Sequence, residues 1–219
     1  HQLDDRDAQK TQPRTGNSAA GNRCAARPRG GIPRQRNRNA RHTHVQLQRA
    51  LARAIKLPEE QCDLILQASP MHDVGKIGIR DNVLLKPDKL DDEEWINMKT
   101  HVDIGVSILS GGDSKIIQLA QEIAATHHEK YDETGYPNGL KGKDISIAGR
   151  IVPICDVFDA LTSVRPYKKA WTVEDAIELL KREKSKHFDP DLVDKFVSIL
   201  PEILEIRARY SETSAEAAA

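Results

Sequence analysis

The sequence predicts an all-α domain, and three observations predict it. From Val45 onward apolar residues recur three and four positions apart, the spacing of one helix face. Helix-starting residues and Pro or Gly breakers punctuate that pattern at helix-length intervals. No segment of useful length alternates apolar and polar residues as a half-buried strand would. The expected architecture is a helical bundle over residues 45–210. A basic segment over 1–44 is expected to be disordered, as is a frayed tail over 211–219.

Taken in order, residues 45–57 form an amphipathic helix stopped by Pro58. Residues 59–73 carry Cys62, Ile65, Leu66 and Met71 on one face, with Pro70 as a local irregularity. Asp91 and Glu94 make a capping box ahead of Trp95, Met98, Val102, Ile108 and Leu109, and Gly111-Gly112 stops that helix. Asp113 can cap the next helix, which bears Ile116, Leu119, Ala120, Ile123 and His127. Residues 144–161 form another, with Pro153 inside it and a kink expected just before Asp156. Thr172 with Asp175 opens a further helix, and Asp189-Pro190 puts proline at the first position of the last one.

Composition narrows the function classes. The chain has 219 residues with 33 Lys+Arg and 33 Asp+Glu, so it is not a strongly basic nucleic-acid binder as a whole. No apolar run approaches the roughly 18 residues of a membrane span. Cys24, Cys62 and Cys155 form no C-x-x-C pair, which argues against a disulfide framework or a thiolate zinc site and favours a reducing cytoplasm. Residues 1–44 hold ten Lys/Arg against three Asp/Glu and almost no large apolar residue, too little to offset the entropy of ordering them. Without interleaved aromatics this basic segment reads as a solvated tail rather than a nucleic-acid arm.

The chemistry lies in histidines and aspartates on successive helices. His72-Asp73 supplies an imidazole and a carboxylate side by side, and Lys76 follows on the same side of a helical turn. A surface ion pair at a helix end would explain that trio equally well. His101 alone is as readily structural. His127-His128 can face one ion only if their helix ends there, because neighbours on a helix point about 100° apart. Asp156 and Asp159 sit among apolar residues, where a carboxylate needs a partner or a metal; Arg165 is one such partner. Four His and two Asp without a thiolate suit iron, manganese or zinc, and the ligand count suits a paired-metal site.

These motifs resemble the HD-GYP subgroup of the HD phosphohydrolase superfamily. The likeness runs in order through HDVGKIGI (72–79), NVLLKPDKL (82–90), THVDIG (100–105), HHEKYDETGYPNGL (127–140), DVFDALTSVRPYK (156–168) and HFDP (187–190). Gly135-Tyr136-Pro137 is the tripeptide that names the subgroup. The resemblance implies a cytoplasmic phosphodiesterase for cyclic di-GMP, the output module of a larger signalling protein such as a response regulator. It implies His72, Asp73, His101, His127, His128 and Asp156 as ligands of two divalent ions, iron or manganese, with a third ion in some members. Asp73 would bridge them and Lys76 would stabilise the reacting phosphate; Arg165, Lys168 and Tyr136 would hold the substrate. It also allows a homodimer, and a diguanylate cyclase or adaptor docked at Gly135-Tyr136-Pro137.

The sequence departs from that family in two ways. Glu133 and Asp88 stand at loop positions where the family has Gly, and a side chain there can force a different turn. More seriously, the family carries a Glu and a His four residues apart on the helix before the dyad. Residues 34–44 hold neither in register; His42 and His44 are offset by two and four positions. Residues 14–49 read like the family pattern one nucleotide out of frame. Permitted codons for residues 31–49, shifted by one base, encode EYRDNETGTHVIRMSSYSA. An uninterrupted genomic frame encoding the present residues would reject this. The chain as written keeps six expected ligands and lacks the first-helix pair, so weakened metal retention is expected. The alternative to an enzyme is an impaired module that binds cyclic di-GMP or a signalling partner without hydrolysis.

Overall fold

The computed structural model describes residues 34–163 and 170–216, with side chains for 43–163 and 170–210. The described residues are helical with no sheet, only the isolated bridges Asp132–Lys141 and Lys184–Phe188. The all-α reading holds. Cys24, Arg165 and Lys168 lie outside the described residues.

Ten α-helices are described: α1 (Arg34–Ala54), α2 (Glu59–Ala68), α3 (Asp81–Leu84), α4 (Asp92–Lys99), α5 (His101–Leu109), α6 (Lys115–Thr126), α7 (Ile147–Thr162), α8 (Val173–Arg182), α9 (Pro190–Ser198) and α10 (Leu200–Glu216). Short 3-10 turns over Ser69–Met71 and Val74–Gly78 carry the His72-Asp73 pair between α2 and α3. Helix α1 begins at Arg34, ahead of the expected Val45, and α10 continues to Glu216, past the expected end of the domain at Tyr210.

Local chemistry sets several boundaries as expected. Asp91 accepts from the Glu94 backbone N–H while the Glu94 carboxylate accepts from the Asp91 N–H, the full capping box of α4. Thr172 caps α8 through the Asp175 N–H, and Asp189 caps α9 with Pro190 at its first position. Other expectations need correction. The helix expected over 59–73 ends at Ala68, because Pro70 lacks an N–H and the chain tightens into 3-10 turns. The helix expected from Asp91 to Leu109 is two, α4 and α5, separated at Thr100, whose hydroxyl donates to the Asn97 carbonyl. The cap of α6 is Ser114 rather than Asp113, with the Ser114 hydroxyl accepting from the Ile116 N–H.

The core forms where α1, α2, α6 and α7 pack together and α8, α9 and α10 close the far side. Leu47, Leu51, Ile65, Ile123, Ile151, Phe158 and Phe196 are fully or almost fully buried in one cluster. The Phe158 and Phe196 rings meet edge to face at 5.1 Å. Helix α7 runs through the centre: 13 of its 16 residues are buried, including Pro153. Its remaining polar edge, at Asp156, therefore has to face a polar neighbour rather than solvent or core.

Glu133 adopts a backbone φ of 68°, the left-handed region that Gly enters at no steric cost. Its carboxylate reaches Lys141 at 3.1 Å.

Candidate metal centre

Three imidazoles of the centre are each aimed by a carbonyl three residues earlier. His72 Nδ1 lies 2.6 Å from the Ser69 carbonyl, His101 Nδ1 2.7 Å from the Met98 carbonyl, and His127 Nδ1 3.0 Å from the Ala124 carbonyl. A carbonyl only accepts, so Nδ1 carries the proton and a neutral ring presents its Nε2 lone pair inward. The sequence positions the rings for this: His72 follows a 3-10 turn, His101 starts α5 just after α4 stops, and His127 caps the end of α6. Because α6 ends at Thr126, His127 and His128 can both turn inward, as the expected helix ending required.

The inward atoms converge. His101 Nε2 lies 3.2 Å from His128 Nε2 and 3.5 Å from His127 Nε2. Asp73 Oδ1 faces the same group, 3.7 Å from His101 Nε2 and 3.8 Å from His127 Nε2. One donor atom from each of Asp73, His101, His127 and His128 lies within 4.8 Å of all the others, a group that could hold a metal ion. The other oxygen of Asp73 faces elsewhere. Oδ2 lies 3.3 Å from His72 Nε2, and His72 Nε2 is also 3.3 Å from Asp156 Oδ2. Lys76 Nζ donates to Asp73 Oδ2 at 2.8 Å, on the same side of the turn as expected.

This donor set fits a cation. Lone pairs of buried rings at 3.2–3.5 Å repel one another when nothing positive lies among them. Neutral imidazole and carboxylate are the ligand types of divalent first-row metals. The acid–base balance points the same way. Burial pushes the His127 imidazolium down to about 3, with the charge of His72 adding to it. Burial likewise lowers His101 and takes His128 well below the ordinary histidine value. His72 behaves oppositely: burial alone would lower it, but the carboxylates of Asp156 and Asp73 raise it to about 9. Burial would raise Asp73, yet His72, Lys76 and His127 together hold it well below the usual carboxylate range. The rings near Asp73 Oδ1 are thus bases free to bind a cation, while His72 holds a proton where two carboxylates meet.

All six expected ligands, His72, Asp73, His101, His127, His128 and Asp156, therefore meet in one place, together with Lys76. Tyr136 joins them: its ring stacks on His128, with centroids 4.7 Å apart and planes 17° apart.

An HD domain profile matches residues 25–192. This chain belongs to the HD domain family, in its HD-GYP-like branch. The HD domain is 51% identical to the 3'3'-cGAMP-specific phosphodiesterase 2 of Vibrio cholerae, over 72% of this chain and 30% of that protein. It is 45% identical to the cyclic di-GMP phosphodiesterase response regulator RpfG of Xanthomonas campestris, over 75% and 44%. It is 46% identical to a cyclic di-GMP phosphodiesterase of Thermotoga maritima, over 66% and 39%. The chain spans less than half the length of these relatives. In fold it is similar to Bd1817, a HDG"Y"P protein from Bdellovibrio bacteriovorus, with a TM-score of 0.58 at 21% identity over 74% of this chain and 51% of that one.

Within this HD domain two side chains, Gln48 and His44, join the centre from α1, and a third, Glu129, holds the loop beside it. Gln48, fully buried on α1, donates through Nε2 to Asp156 Oδ1 at 3.2 Å. His44, one turn earlier on the same helix, is also buried, and its ring centroid lies 6.2 Å from that of His72. An offset of four residues is one helical turn, so His44 keeps the face that an exact register would have used. Glu129, almost fully buried, accepts from the Asn138 N–H at 2.8 Å and the Leu140 N–H at 2.9 Å. It thereby ties down the loop that carries Tyr136. The loop packs so closely that a Cβ on Gly135 would lie 2.3 Å from the Lys130 nitrogen. The Gln48 contact joins residues 108 positions apart, and local spacing carries no signal for it. Glu129, directly after His127-His128, could have been suspected from its place in the motif.

Among the described residues no helix is long and apolar enough to cross a membrane.

Proposed function

We propose that this HD domain hydrolyses a phosphodiester bond of cyclic di-GMP at a centre of two divalent cations, iron or manganese. The observation that carries the reading is Asp73, whose two oxygens face two different donor sets. Oδ1 would serve one cation with His101, His127 and His128, and Oδ2 the other with His72 and Asp156. When bound, such cations lower the pKa of water enough to make a nucleophile at neutral pH and offset charge on the phosphate. The remaining work falls to this chain's side chains. Asp73, held ionised, fixes the spacing of the centre. Lys76, already at the edge of the cluster, offers its ammonium to a non-bridging phosphate oxygen, a contribution usually worth several kcal/mol. By the motif match, Arg165 and Lys168 would hold phosphate oxygens of the dinucleotide, Arg165 in a fork and Lys168 as a point charge. The names of the relatives support the reaction class and a cyclic dinucleotide substrate: two are named for cyclic di-GMP and one for 3'3'-cGAMP. A cytoplasmic role in second-messenger signalling follows from that substrate. Self-association, or docking of a cyclase or adaptor at Gly135-Tyr136-Pro137, belongs to the same proposal.

The test is to load the purified chain with iron or manganese, supply cyclic di-GMP or 3'3'-cGAMP, and separate the products by chromatography. The linear dinucleotide or GMP is the expected product. Asp73→Ala should lose both metal and turnover, whereas Lys76→Ala should keep metal and slow turnover about a hundredfold or more. Full metal occupancy in Asp73→Ala would refute the shared-carboxylate centre. A second reading, binding without turnover, is favoured by one contact: the Gln48 amide already occupies Asp156 Oδ1. Tight binding of cyclic di-GMP with no product under any metal would select it.

A further inference from the structure

Helix α1 turns Gln48 toward the metal centre, and half of its amide has no hydrogen-bond role there. The side chain is fully buried. Its Nε2 donates to Asp156 Oδ1 at 3.2 Å, but among the described residues no donor reaches its Oε1. A hydrogen bond to Asp156 alone would leave that oxygen a buried acceptor without a positive partner, which disfavours the fold. The neighbours of the amide are of the kind that hold a cation. Asp156 Oδ2 lies 3.3 Å from His72 Nε2, and His72 Nε2 lies 3.3 Å from Asp73 Oδ2. Neighbouring ligands of a small divalent ion, each about 2.1 Å from it, stand about 3 Å apart. The spacings from Gln48 through Asp156 and His72 to Asp73 are of that size. An amide carries its oxygen and nitrogen on one carbon, so a half-turn exchanges the two.

We propose that Gln48 Oε1 is a ligand of the cation served by His72 and Asp156, and that it makes the two cation sites chemically unlike. The inference rests on the two-cation reading above and adds ion choice to it. One site has three imidazoles, from His101, His127 and His128, and one oxygen, from Asp73. The other has three oxygens, from Gln48, Asp156 and Asp73, and one imidazole, from His72. Imidazole suits iron and zinc, whereas carboxylate and carbonyl oxygens suit manganese and magnesium. The ring-rich site therefore favours iron and the oxygen-rich site manganese. The resemblance to HD-GYP proteins calls for a histidine from this helix, and a ring there would draw the two sites together. Gln48 departs from that pattern, and the departure sets the sites apart.

The experiment equilibrates the chelator-treated chain with equimolar iron(II) and manganese(II) under anaerobic conditions, removes free ions, and counts bound metal by mass spectrometry. Paramagnetic resonance of the bound manganese gives a second readout, and circular dichroism checks that each variant is folded. One iron and one manganese per chain are expected. Gln48→His should lower the manganese-to-iron ratio about tenfold. Gln48→Glu keeps an oxygen and should retain the manganese, whereas Gln48→Leu should weaken it about tenfold or more and leave the iron in place. A Gln48 that only steadied Asp156 through its hydrogen bond would, on change to His, weaken both ions alike at that site and leave their ratio unaltered. If the unsubstituted chain takes two ions and Gln48→His leaves the ratio as it was, the ligand role is overturned and the two-cation centre stands. If the unsubstituted chain takes one ion only, of either kind, the two-cation reading falls and the role of Gln48 with it.

Discussion

The tightest contact behind the metal centre is backbone against backbone, and it involves Gly75. This residue lies two positions after Asp73, in the 3-10 turn that packs against α5. A Cβ built on Gly75 would fall 1.9 Å from the His101 carbonyl oxygen and 2.4 Å from the Gly105 nitrogen. Neither atom belongs to a side chain that could rotate away. To restore ordinary contact, α5 must retreat by about 1.5 Å. His101 rides on that helix and Asp73 on the turn, so the retreat opens their 3.7 Å approach directly.

Gly75→Ala should therefore act twice. Overpacking costs about 1–3 kcal/mol, and a clash with unyielding backbone belongs at the upper end. In a domain of this size about 3 kcal/mol lowers the melting temperature by roughly 6–12 °C. Separately, a displacement of about 1 Å at a reacting centre costs on the order of a hundredfold in rate. Melting by calorimetry reads the first effect, and bound metal by mass spectrometry with turnover on cyclic di-GMP reads the second. Gly105→Ala is the control on the facing helix: its new Cβ would be 3.4 Å from the Gly75 nitrogen and 3.7 Å from the Ala124 Cβ, ordinary contacts. It should be neutral, or slightly stabilising through better helix propensity. If Gly75→Ala matched the parent in melting, metal content and rate, the close approach would not be what holds the two halves of the centre in register.

Two further predictions concern acid–base balance and the Tyr136 loop. In chelator-treated protein His72, raised to about 9, contributes stability that is complete below about pH 6.5 and is lost as pH rises through 9, up to about 3 kcal/mol. His127, held down to about 3, must stay neutral to remain folded, so stability also falls as pH drops below about 6.5, by up to about 5 kcal/mol. Urea midpoints should thus peak near pH 6.5, and added divalent cation should remove the alkaline decline by replacing the proton at His72; a midpoint rising steadily to pH 9 would contradict this. Glu129→Gln leaves one of two loop amides facing an amino group instead of an oxygen, at a cost of about 1–3 kcal/mol. Hydrogen exchange at Asn138 and Leu140 should accelerate, with a loss of turnover, and unchanged protection would show that the loop is held by other contacts.

How much of this was legible in the sequence follows from which contacts are local. The helix starts at Asp91, Thr172 and Asp189 are side-chain bonds to N–H groups two or three residues away, and spacing alone reveals them. The ligand residues were legible as residue types in order. The requirement that α6 stop before His127-His128 was legible too, since two adjacent rings cannot otherwise turn to one point. The break at Thr100 was not, because the apolar spacing runs on from Trp95 to Leu109 and only the terminal hydrogen bonds divide it. Nor could spacing show that the two oxygens of Asp73 face different groups, or that Gln48 reaches Asp156, since α1 meets α7 only through the packed core. The offset of His44 counted against it in linear register, yet on a helix four residues return to the same face.

The repeated bond from a histidine Nδ1 to the carbonyl three residues before it explains how such a centre can be tolerated before any ion arrives. The rings of His72, His101 and His127 are each fixed by their own turn of backbone, at Ser69, Met98 and Ala124, so their orientation is set locally and does not wait for the metal. The same bonds forbid escape: with Nδ1 donating to a carbonyl, the Nε2 lone pairs cannot turn outward to solvent. Folding must then press His101, His127 and His128 together with no proton among them, since burial disfavours the imidazolium in all three. That arrangement is an unfavourable term in the metal-free fold, and the packing of α6 and α7 in the core has to carry it. A cation relieves the term without moving any ring. Relief of that repulsion adds to the bonds a cation would form, and loosening the rings should weaken metal binding even with every ligand still in place.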